Sequence, residues 1–276
     1  MNPHKAPKTS LTEVFSSIWR NWPLILQMSK REILGRYRGS WMGLAWSFFN
    51  PVLMLAVYTF FFSVVFKSRW GVGNTGGHVD FAVVLFVGLI VHGLFAECIN
   101  RAPTLISGNV NFVKKVIFPL EIFPCIALGS ALFHSAISVA VLLALQLILT
   151  GAVPWTAVFF PAILAPLIFI TLGFAWFLAA MGVYVRDIGQ TTGLVTSILL
   201  FVSPVFYPIT ALPQKTQIFV MLNPLTLIIE ESRNVLLFDK SPSWFSLGVY
   251  SLLSILVAWA GFWWFQKTRK GFADVL

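Results

Sequence analysis

The chain has 276 residues, 58% of them hydrophobic and only 11% charged, with a mean hydropathy of +0.83. Soluble domains carry about 25% charged residues, so the composition excludes an ordinary soluble domain and points to an all-α integral membrane protein. The net charge of +9 would suit nucleic acid, but the cations gather where membrane topology puts them, so no nucleic-acid partner is expected.

Residues 1–21 read as a short cytoplasmic arm; its polar start, Met1–Ser10, lacks the apolar core of a cleaved signal. Residues 22–38 form a basic amphipathic helix, with Trp22, Ile25, Leu26, Ser29, Ile33 and Tyr37 on one face and Gln27, Arg31 and Arg38 opposite. Such a helix lies in the membrane interface; a core helix of a soluble cap domain is the alternative. The expected spans are 41–66, 81–99, 121–150, 155–185, 188–204 and 244–265, near or above the roughly 20 residues a crossing needs. A Gly-rich loop occupies 67–80, a polar loop 101–120, and tight turns fall at Gly151–Pro154 and Arg186-Asp187.

The stretch 204–241 is interrupted by Pro204, Pro208, Pro213 and Pro224, which forbid one continuous helix. Its apolar pieces, 218–222 and 225–229, are too short to cross. They suit two re-entrant helices dipping in from outside, or an amphipathic external loop. Asn223-Pro224 suits the cap and first turn of the second piece.

With the N-terminus inside, Lys5, Lys8, Arg20, Lys30, Arg31, Arg36, Arg38, Arg101, Lys114, Lys115, Arg186, Lys267, Arg269 and Lys270 are cytoplasmic. Lys67, Arg69, Lys215, Arg233 and Lys240 are external. This excess inside favours N-in, C-in and six spans.

No Gly-Lys-Ser/Thr sequence exists to bind nucleotide, nor an HExxH, a zinc-spaced cysteine pair or a nucleophile elbow. No catalytic residue and no metal ligand set are therefore expected. A membrane-embedded lipid-linked sugar transferase would need paired carboxylates or a metal cluster. A channel or secondary carrier would need internal ionisable relays. His92 and His134 are expected to bond to neighbouring helices. Glu97, inside the second span, reads either as a functional intramembrane acid or as an end-of-helix pair with Arg101, its i+4 neighbour. Cys98 and Cys125 read as inert buried thiols. Gly173, Ala175, Ala179, Ala180, Gly182, Gly189 and Gly193 give spans four and five small-residue faces, which suit packing within the chain and packing against a second copy equally.

The runs KREILGRYRGSWMGLAW (30–46), NFVKKVIFPLEIFP (111–124), VYVRDIGQ (183–190), SPVFYPITALP (203–213) and NPLTLIIEESRNVLL (223–237) together resemble the membrane subunit of polysaccharide-exporting ABC transporters, over about residues 20–270. The resemblance implies a permease in the bacterial inner membrane that exports a lipid-linked polysaccharide: O-antigen first, capsular polysaccharide or teichoic acid as alternatives. It implies a homodimer with two separate ATPase subunits, which use ATP and Mg; this chain itself would hold no cofactor. The 101–118 region would be the coupling loop, with Arg101, Gly108, Phe112, Lys114 and Lys115 as ATPase contacts, joined by Arg186 and Asp187 at the next inner turn. The 204–236 pieces would be external gate helices. Arg31, Arg36 and Arg38 would meet the substrate's pyrophosphate, since guanidinium forks match phosphate oxygens, or else anchor anionic lipid. A sugar path would use aromatic rings: Tyr58, Phe62 and Phe66, spaced as one helical face, and Phe206 and Tyr207 at the outer mouth. The alternative is contact with lipid or packing between helices.

Overall fold

A computed structural model describes residues 9–65, 81–114 and 118–276. Phe66, Lys115 and the Gly-rich loop with Lys67, Arg69 and Trp70 lie outside them. All regular structure among the described residues is helical.

Part of the stretch read as an arm is a helix. Helix α1 (Leu11–Arg20) is followed directly by α2 (Trp22–Arg36). The Ser10 hydroxyl accepts from the Glu13 N–H at 3.3 Å, the first half of a capping box, and the Asn21 side-chain amide donates to the Ser17 carbonyl at 2.8 Å to end the helix. Pro23 opens the first turn of α2, where a missing N–H costs nothing.

The remaining helices are α3 (Ala45–Tyr58), α4 (Phe81–Arg101), α5 (Val110–Lys114), α6 (Phe123–Thr150), α7 (Phe160–Tyr184), α8 (Ile188–Val202), α9 (Gln214–Met221), α10 (Thr226–Leu236), α11 (Trp244–Thr268) and α12 (Phe272–Val275). Among the described residues, five helical stretches are long and apolar enough to cross a membrane: Ala45–Phe62, Phe81–Thr104, Leu120–Thr150, Trp155–Tyr184 and Trp244–Val275. The stretch 188–204, expected to cross as well, holds the shorter apolar helix Ile188–Val202.

Helix α4 is the centre of the bundle. Most of it is buried, and it packs against α3, α6, α7, α8 and α10. Beside it α7 and α11 cross at close range. A Cβ on Gly173 would meet the Val257 carbonyl, and one on Gly261 would meet the Gly173 carbonyl, so only glycine lets these backbones touch. Gly182 is used likewise against the turn at Pro103. Gly189 and Gly193 on α8 face open space in the single chain.

One end of the bundle is tied by Glu121, 7% exposed. Its carboxylate accepts from the Ser17 hydroxyl at 3.1 Å and pairs with Arg269 at 2.9 Å, while its carbonyl accepts from the Trp176 indole at 2.8 Å. Helices α1, α6, α7 and the end of α11 therefore meet there.

At the other end α9 and α10 are the two short pieces of the broken segment. Asn223 lies before α10: its side-chain oxygen accepts from the Leu225 N–H at 2.9 Å and its amide donates to the Ser203 hydroxyl at 2.9 Å. Arg233, 1% exposed, donates to the carbonyls of Val84 at 3.2 Å and Val205 at 3.0 Å and to the Glu230 carboxylate at 2.8 Å. It pins α10 to α4 and to the turn after α8.

Candidate functional site

A cavity of about 440 Å³ opens between the end of α2 and helices α3, α4 and α6. Arg36, Tyr37, Glu97 and His134 form its more charged wall, and Ser47, Asn50, Tyr58 and His92 carry the polar lining onward. Phe86, Leu89, Ile90 and Met54 fill the spaces between. Pro51, also in the lining, removes a donor from α3 at the cavity wall.

Glu97 is the pivot of this wall. Its carboxylate lies 2.6 Å from the Arg36 guanidinium and 3.9 Å from Arg101. Arg101 has a nearer partner in Glu32, at 2.6 Å. The local i+4 pair expected for Glu97 is thus the long limb, and the short one reaches the interfacial helix. His134 Nδ1 is 3.1 and 3.2 Å from the two Glu97 oxygens, and its Nε2 is 3.1 Å from the Tyr37 hydroxyl. A carboxylate can only accept, so Glu97 calls for the proton on Nδ1 with Tyr37 donating to Nε2, while the Arg36 guanidinium, 3.2 Å from the same Nδ1, can only donate. Burial raises the Tyr37 phenol above its ordinary value, with Arg36 opposing, which keeps that hydroxyl protonated and able to donate.

Two guanidiniums face two carboxylates here, so with neutral His134 the cluster is balanced in charge. An incoming anion would have to take Arg36 from Glu97. A neutral polyhydroxyl ligand would meet donors and acceptors already in place, with phenol rings beside them. His92, in the lining, has its Nε2 engaged by the Thr196 carbonyl of α8 at 2.9 Å.

Of the three arginines grouped by sequence, only Arg36 joins this wall; Arg31 and Arg38 are exposed. Tyr58 lines the cavity, but Phe62 packs on Phe81 with ring centroids 5.1 Å apart. The shared face expected for Tyr58 and Phe62 rested on a 3.6-residue period. The chain turns π-helical from Thr59 through Val65, a winding that still leaves positions four apart close to one face, so it is the contact with Phe81 that occupies Phe62. At the far end Tyr207 donates to the Val202 carbonyl at 2.8 Å, and Phe206 stacks on Phe201 at 5.5 Å. The structure does not bring this pair to Tyr58.

The loop after α4 is a run of 3₁₀ turns leading into α5. Gly108 and Lys114 bracket it, and Phe112 packs on Phe118 at 4.6 Å and Phe123 at 5.8 Å. Arg186 and Asp187 form an exposed turn between α7 and α8. Among the described residues no group of three or more His, Cys, Asp or Glu side chains is set to hold a metal ion.

Sequence reasoning did not single out Glu121, Arg233 or the joining of His134 to Glu97. Glu121 carried a signal, an acid enclosed by apolar residues between Pro119 and Pro124.

Residues 23–237 match the family model of the ABC-2 type transporters. The chain is 26% identical over 253 residues to the O-antigen export system permease protein RfbA of Myxococcus xanthus, covering 91% of this chain and 94% of that protein. It is 22% identical over 255 residues to an RfbA permease of Klebsiella pneumoniae, covering 92% and 95%. It is 24% identical over 236 residues to the polysialic acid transport protein KpsM of Escherichia coli, covering 84% and 88%.

Proposed function

The chain belongs to the ABC-2 type transporter family, and on that premise we propose that it is the membrane permease subunit of an ABC exporter of a lipid-linked polysaccharide. The observation that carries this reading is likeness along nearly the whole chain to permeases named for O-antigen export. The likeness to a polysialic acid transport protein supports capsular polysaccharide as the second substrate class. In a bacterium such a multi-pass subunit resides in the inner membrane.

The finer assignment is what the family resemblance implies. ATP and Mg act in two separate ATPase subunits, which dock on the 101–115 loop and the Arg186-Asp187 turn. Two copies of this chain assemble through α3 and α8. The exposed apolar faces of Phe48, Leu53 and Phe60 on and just beyond α3, and of Leu194, Ile198 and Phe201 on α8, support that pairing. Helix α8 with the turn that follows it supplies a sixth crossing, giving N-in, C-in, and α9 and α10 re-enter from outside as the gate. The polymer passes weakly held, its sugar faces against Tyr58 and, at the outer mouth, Tyr207 and Phe206. Phe62, packed on Phe81, stands further from the path. Arg36 is the residue of the arginine group that meets the headgroup.

The test is deletion and complementation in the strain that makes the glycan. Loss of surface polymer, its accumulation inside, and co-purification of a Walker-motif ATPase with this chain are expected. Normal surface polymer in the deletion strain would reject the reading. Within it, Tyr58→Ala and Tyr207→Ala together should lower surface polymer while protein level and ATPase binding persist.

A further inference from the structure

A groove of about 1060 Å³ runs between α1 and α2 on one wall and α6 and α7 on the other, with Leu44 at the start of α3 also in its lining. Ligand pockets typically span about 300–1,000 Å³, so it is large. Its walls are almost wholly hydrocarbon, with Trp22, Leu26, Leu132 and Phe169 prominent. The charged residue in the lining is Lys30.

The groove is held open by fixed contacts. Phe15 meets Phe169 edge-on at 5.9 Å, fastening α1 to α7. The Ser29 hydroxyl donates to the Ile126 carbonyl at 3.3 Å. A Cβ on Gly129 would lie 2.5 Å from that hydroxyl oxygen, so α2 sits on α6 as closely as glycine permits. Trp19 and Trp22, both exposed, stand at its edge as interfacial indoles do.

We propose that this groove holds one anionic membrane phospholipid, its acyl chains lying between α2 and α6–α7 and its phosphate at Lys30. The inference rests on α1 and α2 lying at the cytoplasmic face and on no detail of the export path. An apolar groove open to the bilayer fills with hydrocarbon, but chain burial there gains little over chain burial among other lipids. Selectivity must therefore come from Lys30. Neighbouring Arg31 adds positive potential, whereas Glu32 is engaged by Arg101. The expected preference for an anionic over a zwitterionic headgroup is about fivefold, the worth of one cation near an anionic surface. Such a lipid would clamp the two interfacial helices against the spans.

The experiment uses the full-length protein in vesicles of phosphatidylcholine carrying either phosphatidylglycerol or phosphatidylcholine with a photoreactive acyl chain. Cross-linked peptides are mapped by mass spectrometry. Saturable labelling of 125–133 and 168–172, stronger with phosphatidylglycerol, is expected. Lys30→Glu should abolish the headgroup preference, and Leu132→Trp should fill the groove and cut labelling there by severalfold while labelling of 194–202 is unchanged. Lys30 is exposed on its helix, so the first variant keeps the fold should the second disturb it. Equal labelling by the two lipids, labelling that rises without saturation, or a preference that survives Lys30→Glu would overturn the proposal. So would a cross-link from the groove to a second copy of the chain, or displacement of the lipid by a long-chain isoprenyl phosphate at lower concentration.

Discussion

The Arg36 guanidinium rests 2.6 Å from the Glu97 carboxylate, joining the last turn of α2 to the carboxylate deepest in α4. One residue belongs to a helix read as interfacial, the other to the central span. With His134, the contact links side chains of α2, α4 and α6.

The pair should show measurable coupling. Arg36 is 38% exposed at its side chain and Glu97 21%, so the coupling lies between about 1 kcal/mol for an exposed pair and about 3 kcal/mol for a buried one. The two halves are unequal. Arg36→Gln leaves Glu97 with His134 and Arg101, whereas Glu97→Gln takes the carboxylate from Arg36 and from His134 together, Arg101 keeping Glu32. A double-mutant cycle on thermal unfolding in detergent checks this, with Glu97→Gln the costlier single change. Strict additivity would show that the two do not interact.

Arg233 is the residue whose loss should cost most at the outer end. Arg233→Met leaves the Val84 and Val205 carbonyls without their donor and Glu230 without its cation. Glu230 is 36% exposed at its side chain and can turn to water, so the cost is that of the buried carbonyls left without their donor, about 1–3 kcal/mol. A lower unfolding temperature and reduced protein level are expected, with Arg233→Lys intermediate because an ammonium cannot reproduce the fork. A Met variant as stable as the parent would show that the clasp contributes nothing.

Much of the fold was legible in the sequence because hydrocarbon leaves few choices. A long apolar run must satisfy its own backbone, and does so as a helix. The family resemblance was carried by short motifs such as 30–46 and 223–237, which the family match over 23–237 spans. Helix α1 was missed although Ser10 and Glu13 stand at capping-box spacing, because the polar start of the arm outweighed the apolar spacing of Leu11, Val14, Phe15 and Ile18. The site was less legible. Glu97 has its sequence neighbour Arg101 in reach, yet its short contacts come from Arg36 and His134, on other helices. Pairing over such separations leaves no local pattern. The π-helical turn at Thr59 likewise follows from no periodicity in the run TFFFSVV.

Topology can be read with single cysteines at Lys114, Lys215 and Lys267, the native Cys98 and Cys125 being buried. With six crossings and both termini inside, an impermeant thiol reagent applied to intact cells should label the Lys215 position alone. Labelling at Lys114 would invert the arrangement. Labelling at Lys215 and Lys267 together would mean an odd number of crossings between α9 and the tail is missing, and that α11 does not span.

The glycines of α7, α8 and α11 separate folding from assembly. Gly261 lies against the Gly173 carbonyl, and a side chain there must push α11 off α7. Gly261→Leu should therefore collapse the monomer fold, seen as loss of full-length protein and of a defined unfolding transition. Gly193 has nothing within 4 Å of its would-be Cβ, and its helix shows a broad apolar face to the outside. Gly193→Leu should leave unfolding of the single chain within about 0.5 kcal/mol of the parent, as substitutions away from packed features do. If two copies meet through α8, the same change should weaken their association, measured by cross-linking in vesicles over a dilution series. Association unchanged by Gly193→Leu, with the fold intact, would move the contact between copies away from this face of α8.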